Sequence, residues 1–522
     1  MTDLLSRTAQ IQSEYYGKTT CAYRKEKGQV FTPPEIARFM ASLLSEIPRE
    51  LRLLDAGAGV GSLTVAICER VARLQSPCEL HVVLFESEPQ LVSLLRENLD
   101  YCKSRLAERG HVLEFTIRDD DFILAAASQL DGQNRLFVPS FENDFDAVIM
   151  NPPYFKVRRD SEHAKMLERI VHGQPNAYAF FMALAAALLR PNGELIAITP
   201  RSFCGGLYFR GFRKWFFDKM CLDHIHLFAS RTDAFKDSEV LQESVITKSH
   251  RLGKQTTSVH ITESFGRRIA QRPNMIVLGY KNVLDTTRGE YLVKIPVSKE
   301  DCAIMRFVES LPHRFDEIGL RISTGPVVTF RAKDLILLQP NGQATVPLLM
   351  PHNVKAFRTQ WPVERKKHPV YVIDCEVSRQ RRLLIPTRNY VLLKRFTSKE
   401  EGRRLTAACL LRSEQKTKRI GLENHLNYIY HADRELTLDE TFGIAAIFNS
   451  VIVDRYFRVL SGNTQVNATE IRNLHFPSLE DLATLGTKVR SIPNWAPAET
   501  EAAVLDILGV GQSFIEHLVA VA

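Results

Sequence analysis

The sequence predicts an α/β protein, with a doubly wound, mostly parallel sheet in the first half and a C-terminal α+β domain. A change in the pattern of apolar segments along the chain supports this prediction. Apolar, strand-like runs alternate with helical stretches over residues 1–250, and short segments rich in Pro, Arg and Lys follow. We therefore expect a domain boundary between residues 250 and 300 and divide the chain into domains 1–255 and 256–522.

Each element is predicted from the spacing of its apolar residues. Strands are predicted at residues 51–55, 80–86, 111–117, 145–150, 194–199 and 224–230. Helices are predicted at residues 62–74, 89–106, 176–189, 442–460, 479–489 and 500–521. The helix at 176–189 stops at a breaker cluster, Arg190-Pro191-Asn192-Gly193. Because doubly wound sheets bind ligands at the carboxyl ends of their strands, the loops after these strands are the expected site.

Composition excludes several classes of protein. The chain is 45% hydrophobic and 25% charged, which is typical of globular proteins and excludes a wholly disordered chain. The longest near-apolar run, residues 177–189, is too short to span a bilayer, and the N-terminus lacks a signal-peptide pattern. The nine Cys form no CxxC pair and the 15 His show no ligand spacing. A soluble, intracellular protein without a metal is expected.

Positive charge is concentrated in the second half of the chain. The formal net charge is +8, yet residues 1–250 hold 30 Lys and Arg against 32 Asp and Glu. Residues 251–522 hold 38 against 28. This asymmetry favours contact between the second half and a nucleic acid, and an ordinary solvated basic face is the alternative.

A glycine-rich loop follows the first strand, with the sequence DAGAGVG over residues 55–61. Glycines allow the backbone to turn sharply and to approach a ligand beside a helix N-terminus. The spacing is not GxGxxG and no Lys-Ser/Thr follows, which argues against a phosphate-binding P-loop. The second strand ends at Glu86, whose carboxylate can accept from ribose hydroxyls. Together these features indicate a nucleoside cofactor; a connection without a ligand is the alternative.

The motif Asn151-Pro152-Pro153-Tyr154 follows the apolar strand FDAVIM. Its prolines hold the backbone extended and remove two donors, so the Asn151 side-chain oxygen and the Pro152 carbonyl can both act as acceptors. Tyr154 adds a flat face beside them. The pattern indicates a site that binds a planar group carrying an NH2. A purely structural turn is the alternative.

This set of motifs resembles the gamma class of S-adenosylmethionine-dependent DNA amino-methyltransferases, the adenine-N6 enzymes typified by TaqI. More narrowly, it resembles the restriction–modification methylases grouped with Eco57I, PstI and BsuBI. The resemblance covers nearly the whole chain and implies the class I methyltransferase type of fold. One departure from the TaqI type is Asp55 at the position of a Glu, and the run Asp119-Asp120-Asp121 leaves the register of a further acid open.

The resemblance also implies roles for individual residues. Residues implied to bind S-adenosyl-L-methionine are Thr32 and Pro33 of GQVFTPPEIARFMASL, Asp55, Gly57, Ala58, Gly59 and Gly61 of the glycine-rich loop, Glu86, and Asp121 and Phe122 of DDDFIL. The implied catalytic residues are Asn151, Pro152, Pro153 and Tyr154. Phe235 of AFKDSEVLQESVI is implied to face the target base together with Tyr154, and a core position for Phe235 is the alternative.

Segments of the second half resemble the target-recognition domain of the PstI and BsuBI type: ISTGPVVTF (322–330), NYVLLKRFTSKEEGRRL (389–405) and the stretch from NYIYHADREL to LHFPSL. Basic residues interleaved with Tyr390, Phe396, Tyr428 and Tyr430 suit phosphate contacts, and Asn463-Thr464-Gln465 suits base-edge contacts. The candidates for DNA contact are Arg381, Arg382, Lys394 and Arg395.

The implied activity is methylation of adenine N6 in a short duplex DNA sequence, with the base flipped out of the helix. The protein would be the modification half of a type II restriction–modification system, located in a prokaryotic cytoplasm. A separate cognate endonuclease is the expected partner, because Asp374-Cys375-Glu376 lacks the following Lys of a nuclease centre. The resemblance points to a CTGCAG-type palindrome and a monomer that treats each strand separately. Methylation of RNA adenine or protein glutamine, and a DNA-binding protein with an inactive methylase domain, are the alternatives.

Overall fold

The structure is a computed structural model that describes residues 3–131, 145–168, 170, 176–229, 243–253, 256–267, 269, 273–363, 365, 368–397, 401–462 and 465–511. It divides into two compact units, Met1–Val297 and Ser298–Ala522. The boundary at residue 297 lies within the predicted range of 250–300, beyond the division after residue 255, because Ser258–Ser264 and Met275–Gly279 are strands of the first unit's sheet.

The elements of the first unit are numbered in chain order. Its helices are α1 Leu4–Lys18, α2 Cys21–Lys27, α3 Pro34–Leu43, α4 Ser62–Val71, α5 Pro89–Ala107, α6 Phe122–Asp131, α7 Glu162–Met166, α8 Ala177–Leu188, α9 Arg210–Phe217 and α10 Tyr280–Val283. Its strands are β1 Glu50–Ala56, β2 Glu79–Phe85, β3 Val112–Arg118, β4 Phe145–Met150, β5 Leu189–Pro200, β6 Met220–Phe228, β7 Ser244–Arg251, β8 Ser258–Ser264, β9 Met275–Gly279, β10 Leu284–Asp285 and β11 Leu292–Val293.

The second unit continues the same numbering. Its helices are α11 Lys299–Glu309, α12 Glu376–Gln380, α13 Leu438–Asn449, α14 Val451–Leu460, α15 Ala468–Arg472, α16 Leu479–Ser491 and α17 Pro497–Ile507. Its strands are β12 His313–Arg314, β13 Leu320–Thr324, β14 Ile336–Leu337, β15 Thr345–Leu349, β16 Val354–Lys355, β17 Phe357–Thr359, β18 Tyr371–Ile373, β19 Leu384–Pro386, β20 Tyr390–Lys394, β21 Ala407–Leu410, β22 Arg419–Leu422, β23 Leu426–His431 and β24 His475–Phe476.

The main sheet of the first unit has the strand order β3-β2-β1-β4-β5-β7-β6-β8-β9. The strands from β3 to β5 in this order pair in parallel, whereas β7 pairs antiparallel with both β5 and β6. The order reverses between β1 and β4, and such a reversal opens a crevice at the carboxyl ends of the strands. The predicted doubly wound, mostly parallel sheet is therefore confirmed.

Helices cover both faces of this sheet, which explains the apolar sequences of its central strands. Every residue of β4 is buried, as expected for a parallel strand enclosed between two layers of helices. Residues of α3 and α4 pack in the core of one face, and residues of α6 and α8 pack in the core of the other. All residues of α8 except Ala187 are buried, which is why its sequence shows no polar face.

Two of the predicted helices need correction, one at its C-terminal end and one in its middle. The helix predicted to stop before Arg190 ends at Leu188, but β5 starts at Leu189 and runs through the predicted breaker cluster. The single helix predicted at 442–460 is divided into α13 and α14. Ser450 between them has an extended conformation, and its hydroxyl accepts from the N–H of Val453, which starts a new helix. Of the helix predicted at 500–521, α17 covers the first part, and residues 512–522 lie outside the described residues.

The predicted charge asymmetry is smaller when it is counted over the structural units. The first unit contains 38 Lys and Arg against 35 Asp and Glu, and the second contains 30 against 25. The difference arises because residues 251–297, which hold eight basic and three acidic residues, belong to the first unit. Net charge therefore does not identify one unit as the nucleic-acid-binding part. Only local clusters of charge can indicate such a surface.

The second unit contains one sheet with the order β13-β23-β20-β21-β17-β16 and another with the order β14-β18-β15-β22-β19. Its helices α13 and α16 cross at two glycines. A Cβ at Gly443 of α13 would lie 1.8 Å from the carbonyl oxygen of Leu482, and a Cβ at Gly486 of α16 would lie 1.8 Å from that of Asp439. Both helix backbones thus approach to a distance that only glycine permits.

We predict that Gly443→Ala lowers the free energy of unfolding by about 2 kcal/mol or more, because a backbone carbonyl cannot move aside without separating the helices. Urea unfolding of the full chain measures this change. The matched control is Gly402→Ala, where the added Cβ meets nothing within 4 Å and a change within about 0.5 kcal/mol is expected. Equal stability of the two variants would contradict the predicted close approach of α13 and α16.

Candidate active site

A cleft of about 340 Å³ lies in the first unit beside the ends of β1, β2 and β4. Its lining residues are Glu26, Lys27, Gly28, Gln29, Val30, Phe31, Gly57, Gly59, Phe85, Glu86, Ser87, Glu88, Leu91, Asp120, Asp121, Phe122, Ile123, Asn151, Pro153, Phe155, Val157, His163 and Phe181. The structure therefore brings together residues from the N-terminal motif, the glycine-rich loop, the second and third strand ends and the NPPY motif, as the sequence predicts.

The glycine-rich loop needs glycine for its backbone conformation. Gly57, Gly59 and Gly61 have φ values of 82°, 58° and 88°, in the left-handed region that other residues rarely adopt. The N–H groups of Gly57 and Ala58 donate to the carbonyl of Phe85, at 3.0 and 2.9 Å, and tie the loop to the end of β2. The loop then turns into α4, whose N-cap is Gly61.

Glu86 holds the glycine-rich loop from the side of β2. One carboxylate oxygen accepts from the N–H of Gly59 at 2.9 Å, and the other accepts from the N–H of Glu88 at the same distance. Burial raises the pKa of Glu86. Since each carboxylate oxygen has two lone pairs, Glu86 keeps capacity to accept further hydrogen bonds from a ligand in the cleft.

Asp55, at the end of β1, is buried and only partly satisfied. Its Oδ2 accepts from the Thr64 hydroxyl at 2.7 Å, whereas its buried Oδ1 has no hydrogen-bond partner among the described residues. Burial raises the pKa of Asp55 to about 7. A buried carboxylate oxygen without a donor is costly, so this position suits a ligand that brings a donor or a positive charge.

The lining of the cleft is acidic. The carboxylates of Glu26, Glu86, Glu88, Asp120 and Asp121 face the single ammonium group of Lys27 among the described lining residues. This excess of negative charge favours a ligand with a net positive charge or with many hydrogen-bond donors.

Asp120 and Asp121 of the run 119–121 both line the cleft, and they have different partners. Asp120 forms an ion pair with Arg118, with contacts of 3.0 and 2.5 Å. Asp121 instead accepts from the N–H of Leu124 at the start of α6, and its other oxygen lies 3.0 Å from Nε2 of His163. The two acids thus differ in their partners: Asp120 is paired with a neighbouring cation, and Asp121 is bound to α6 and to His163.

Aromatic rings form one wall of the cleft. Phe122 contacts Phe85 edge to face, with ring centroids 5.1 Å apart, and Phe181 at 4.9 Å. Neither Phe181 nor His163 is singled out by the sequence. Phe181 lies in a helix that is apolar on all sides, so no periodicity distinguishes it, and His163 belongs to no recognisable motif.

The amide of Asn151 is fixed by hydrogen bonds at both ends. Its Nδ2 donates to the carbonyl of Val30 at 2.8 Å and to the hydroxyl of Thr32 at 3.1 Å. Because a carbonyl can only accept, the nitrogen and the oxygen of this amide are assigned without ambiguity. Its Oδ1 accepts from the hydroxyl of Tyr154 at 2.7 Å.

Tyr154 connects this amide to the neighbouring strand. Its hydroxyl lies 3.0 Å from the carbonyl of Ile198, and its single proton serves either that carbonyl or Asn151. Burial raises the pKa of Tyr154, so the hydroxyl keeps its proton. The ring contacts Tyr178 edge to face, with centroids 6.4 Å apart.

The remaining predicted residues divide into two groups. Thr32 and Pro152 are buried, and Pro33 is the N-cap of α3. Phe235, Asn463 and Thr464 lie outside the described residues. Within the described part of the chain, no group of three or more His, Cys, Asp or Glu side chains is arranged to hold a metal ion. The helices that the structure describes include none long and apolar enough to cross a membrane.

Comparisons with known proteins identify relatives of this chain. A family model described as Eco57I restriction-modification methylase matches residues 71–235. The chain is 35% identical to the type II methyltransferase M.BsuBI of Bacillus subtilis over 491 residues, which are 93% of this chain and 94% of the relative. It is 31% identical to the type II methyltransferase M.PstI of Providencia stuartii, over 89% of this chain and 90% of the relative.

A solved structure confirms the fold class. The type IIL restriction-modification enzyme MmeI, determined in complex with DNA, is similar with a TM-score of 0.54 at 11% sequence identity. The similarity covers 93% of this chain and 74% of MmeI.

Asp55 yields a prediction about stability and pH. Its pKa rises from 3.8 to about 7 on folding, so the unfolded chain releases this proton at a lower pH than the folded chain. Folded-state stability from this residue is therefore lost as pH rises from about 4 to 7. Asp55→Asn removes this titrating carboxyl group. As pH rises across this range, the free energy of unfolding of the variant should increase relative to that of the parent by up to about 4 kcal/mol. Urea unfolding of both proteins measures the gain, and pH-independent differences would contradict a buried, partly unsatisfied carboxylate.

Proposed function

Because the chain belongs to the family of type II methyltransferases that includes M.BsuBI and M.PstI, we propose that it methylates adenine N6 in duplex DNA. The methyl donor is S-adenosyl-L-methionine, and the target lies in a short recognition sequence. The protein acts as the modification half of a type II restriction–modification system, alongside a separate endonuclease. The observation that supports this proposal is the fixed amide of Asn151 in the NPPY motif, which presents an acceptor oxygen beside the acidic cleft.

The residues of the cleft fit this cofactor. S-adenosylmethionine carries a positively charged sulfonium and, at neutral pH, an ammonium and a carboxylate; when bound, it supplies the activated methyl group. The acidic lining favours its net positive charge. Glu86 has lone pairs to accept from ribose hydroxyls, and Asp55, which lies at the start of the glycine-rich loop and is not among the lining residues, has a buried oxygen without a donor that suits the ammonium.

The adenine moiety of the cofactor fits the aromatic wall. Phe122, with Phe85 and Phe181 against it, offers an apolar surface for a flat ring. Asp121, at the start of α6, offers a carboxylate that can accept from the exocyclic amine of that ring. Gly57 and Gly59 line the cleft and have no side chains, so they leave space for the rest of the cofactor.

The target amine is a poor nucleophile, because its lone pair is delocalised into the adenine ring. Asn151 Oδ1 and the carbonyl of Pro152 accept its two hydrogens, favour a tetrahedral nitrogen and stabilise the positive charge that develops during transfer. To reach them the base must leave the duplex. Tyr154 stacks on the flipped base, with Phe235 as the second ring.

Identification of the methylated product tests the proposal. Plasmid DNA is incubated with the full chain and methyl-labelled S-adenosylmethionine, digested to nucleosides and analysed by mass spectrometry. N6-methyladenine at one sequence is the expected product. N4-methylcytosine would contradict the adenine assignment, and label found only in RNA or protein glutamine would contradict DNA as the substrate.

We predict that Asn151→Ala lowers turnover by about two orders of magnitude or more, because it removes an acceptor needed mainly in the transition state. The affinities for duplex DNA and cofactor should change by less than about threefold. Single-turnover methylation and equilibrium binding measure the two quantities. The control is Asn341→Ala, at an exposed position of the second unit. Near-parental turnover of Asn151→Ala would show that the NPPY motif is structural in this protein.

The predicted DNA-contacting residues differ in how much of their charge is free. Arg381 forms an ion pair with Asp334 at 3.0 Å, and Arg395 donates to the carbonyl of Asn424 at 3.0 Å. Lys394 has no ion-pair partner among the described residues. Burial lowers the pKa of Lys394, and the nearby positive charges of Lys355 and Arg365 act in the same direction, whereas the carboxylate of Glu401 acts against them. These neighbours point to a basic cluster that the sequence does not single out.

We name this cluster the β16–β17 basic surface and define it as Lys355, Arg358, Arg365 and Lys394. Lys355 and Arg358 lie directly opposite each other on β16 and β17, and both are exposed. Like charges opposite each other on an antiparallel pair destabilise it, and none of the four has an ion-pair partner among the described residues. A polyanion would offset this repulsion. We therefore propose that this surface contacts DNA phosphates. Arg382, which is also exposed, is a further candidate for a phosphate contact.

The salt dependence of DNA binding tests this surface. Each neutralised phosphate contributes about −0.9 to the slope of log affinity against log salt, so Lys355→Ala, Arg358→Ala and Lys394→Ala should each flatten it by about 0.9. Fluorescence anisotropy of a labelled duplex measures the slope. Arg412→Ala is the matched control, since Glu435 already pairs with this cation. Flattening in the control alone would place the phosphate contacts elsewhere.

A further inference from the structure

We propose that Thr32 is a positioning residue for methyl transfer. Together with the carbonyl of Val30, its hydroxyl holds the nitrogen of the Asn151 amide, so that the amide oxygen is the atom presented to the target amine. This inference rests on the proposed function, because it assigns Thr32 to the catalytic amide of that reaction. It differs from the role implied by the sequence, where Thr32 belongs to a cofactor-binding motif.

The contacts satisfy both hydrogens of the amide nitrogen. Nδ2 of Asn151 lies 2.8 Å from the carbonyl oxygen of Val30 and 3.1 Å from Oγ1 of Thr32. Thr32 is only 4% exposed, so water does not replace its hydroxyl at this position. An amide hydrogen left without an acceptor here would carry the full desolvation penalty, and the amide would rotate to find another.

The orientation of the amide decides what the target amine meets. In the observed orientation the oxygen faces away from Val30, towards the hydroxyl of Tyr154. In the opposite orientation the amide oxygen would face the carbonyl of Val30, and the NH2 group would be presented instead. An NH2 group cannot accept the hydrogens of an incoming amine. The catalytic acceptor therefore exists only in the orientation that Thr32 and Val30 enforce.

Thr32 is itself held firmly in place. Its carbonyl accepts from Nε2 of Gln12 on α1 at 3.3 Å, and the next residue, Pro33, is the N-cap of α3. Buried residues of α3, including Ile36 and Met40, pack in the core on one face of the sheet. A segment anchored at both sides can fix a side chain on another strand to within the tolerance that transfer chemistry requires.

The test replaces the hydroxyl while keeping the shape of the side chain. In the full chain, Thr32→Val should lower single-turnover methylation about tenfold, the rate equivalent of one lost hydrogen bond. The affinities for S-adenosylmethionine and duplex DNA should stay within about twofold of the parent. Thr32→Ser, which keeps the acceptor, should recover most of the rate. Thr247→Val, at a buried position on β7, controls for the general effect of the substitution.

A double-mutant cycle separates positioning from a structural role. If Thr32 acts through Asn151, Thr32→Val should cause no further loss of rate in an Asn151→Ala background. An equal tenfold loss in that background would overturn the inference, as would a weaker affinity for S-adenosylmethionine with an unchanged rate. A parental rate in Thr32→Val, combined with a large loss in Asn151→Ala, would refute the role of Thr32 alone. A parental rate in Asn151→Ala would instead refute the proposed function.

Discussion

The amide of Asn151 joins three separate stretches of chain by hydrogen bonds, and the geometry of the candidate site depends on them. Its nitrogen is bound by Val30 and Thr32, between α2 and α3, and its oxygen by Tyr154, which also reaches β5. A partly buried amide whose nitrogen donates to two acceptors has one orientation, since the alternative places its oxygen against the carbonyl of Val30. This orientation is built by the fold, because the two acceptors lie 121 and 119 positions away from Asn151 in the chain.

Two acids near the cleft, Glu86 and Asp55, differ in how completely their carboxylate oxygens are hydrogen-bonded. Glu86 accepts from backbone N–H groups through both oxygens and thereby secures the glycine-rich loop. Asp55 accepts from Thr64 through one oxygen and leaves the other without a donor. A buried carboxylate oxygen without a donor costs stability. The two acids therefore differ: Glu86 holds the loop through both oxygens, whereas one oxygen of Asp55 has no hydrogen-bond partner among the described residues.

Local signals in the sequence predicted much of this architecture. β4 has the predicted bounds, because a run of apolar residues between polar ones is unambiguous for a central parallel strand. The glycine-rich loop is predicted from the sharp turn that its glycines allow, and Glu86 from its position at the end of the second strand. The position of Phe181 in the cleft and the hydrogen bond between Asn151 and Thr32 were not predicted, because each depends on contacts between distant residues that leave no periodic pattern in the sequence. For the same reason, the sequence could not show that Arg381 and Arg395 are engaged within the protein whereas Lys355 is free.

We propose that the fold presents an amide oxygen to a target amine. A crystal structure of the full chain with a duplex containing the target adenine and an unreactive cofactor analogue tests this proposal. In that structure we expect adenine N6 to lie about 2.7–3.2 Å from both Asn151 Oδ1 and the carbonyl oxygen of Pro152, with Nδ2 still bound to Val30 and Thr32. A flipped adenine whose N6 contacts neither oxygen, or an amide rotated so that its nitrogen faces the base, would contradict it.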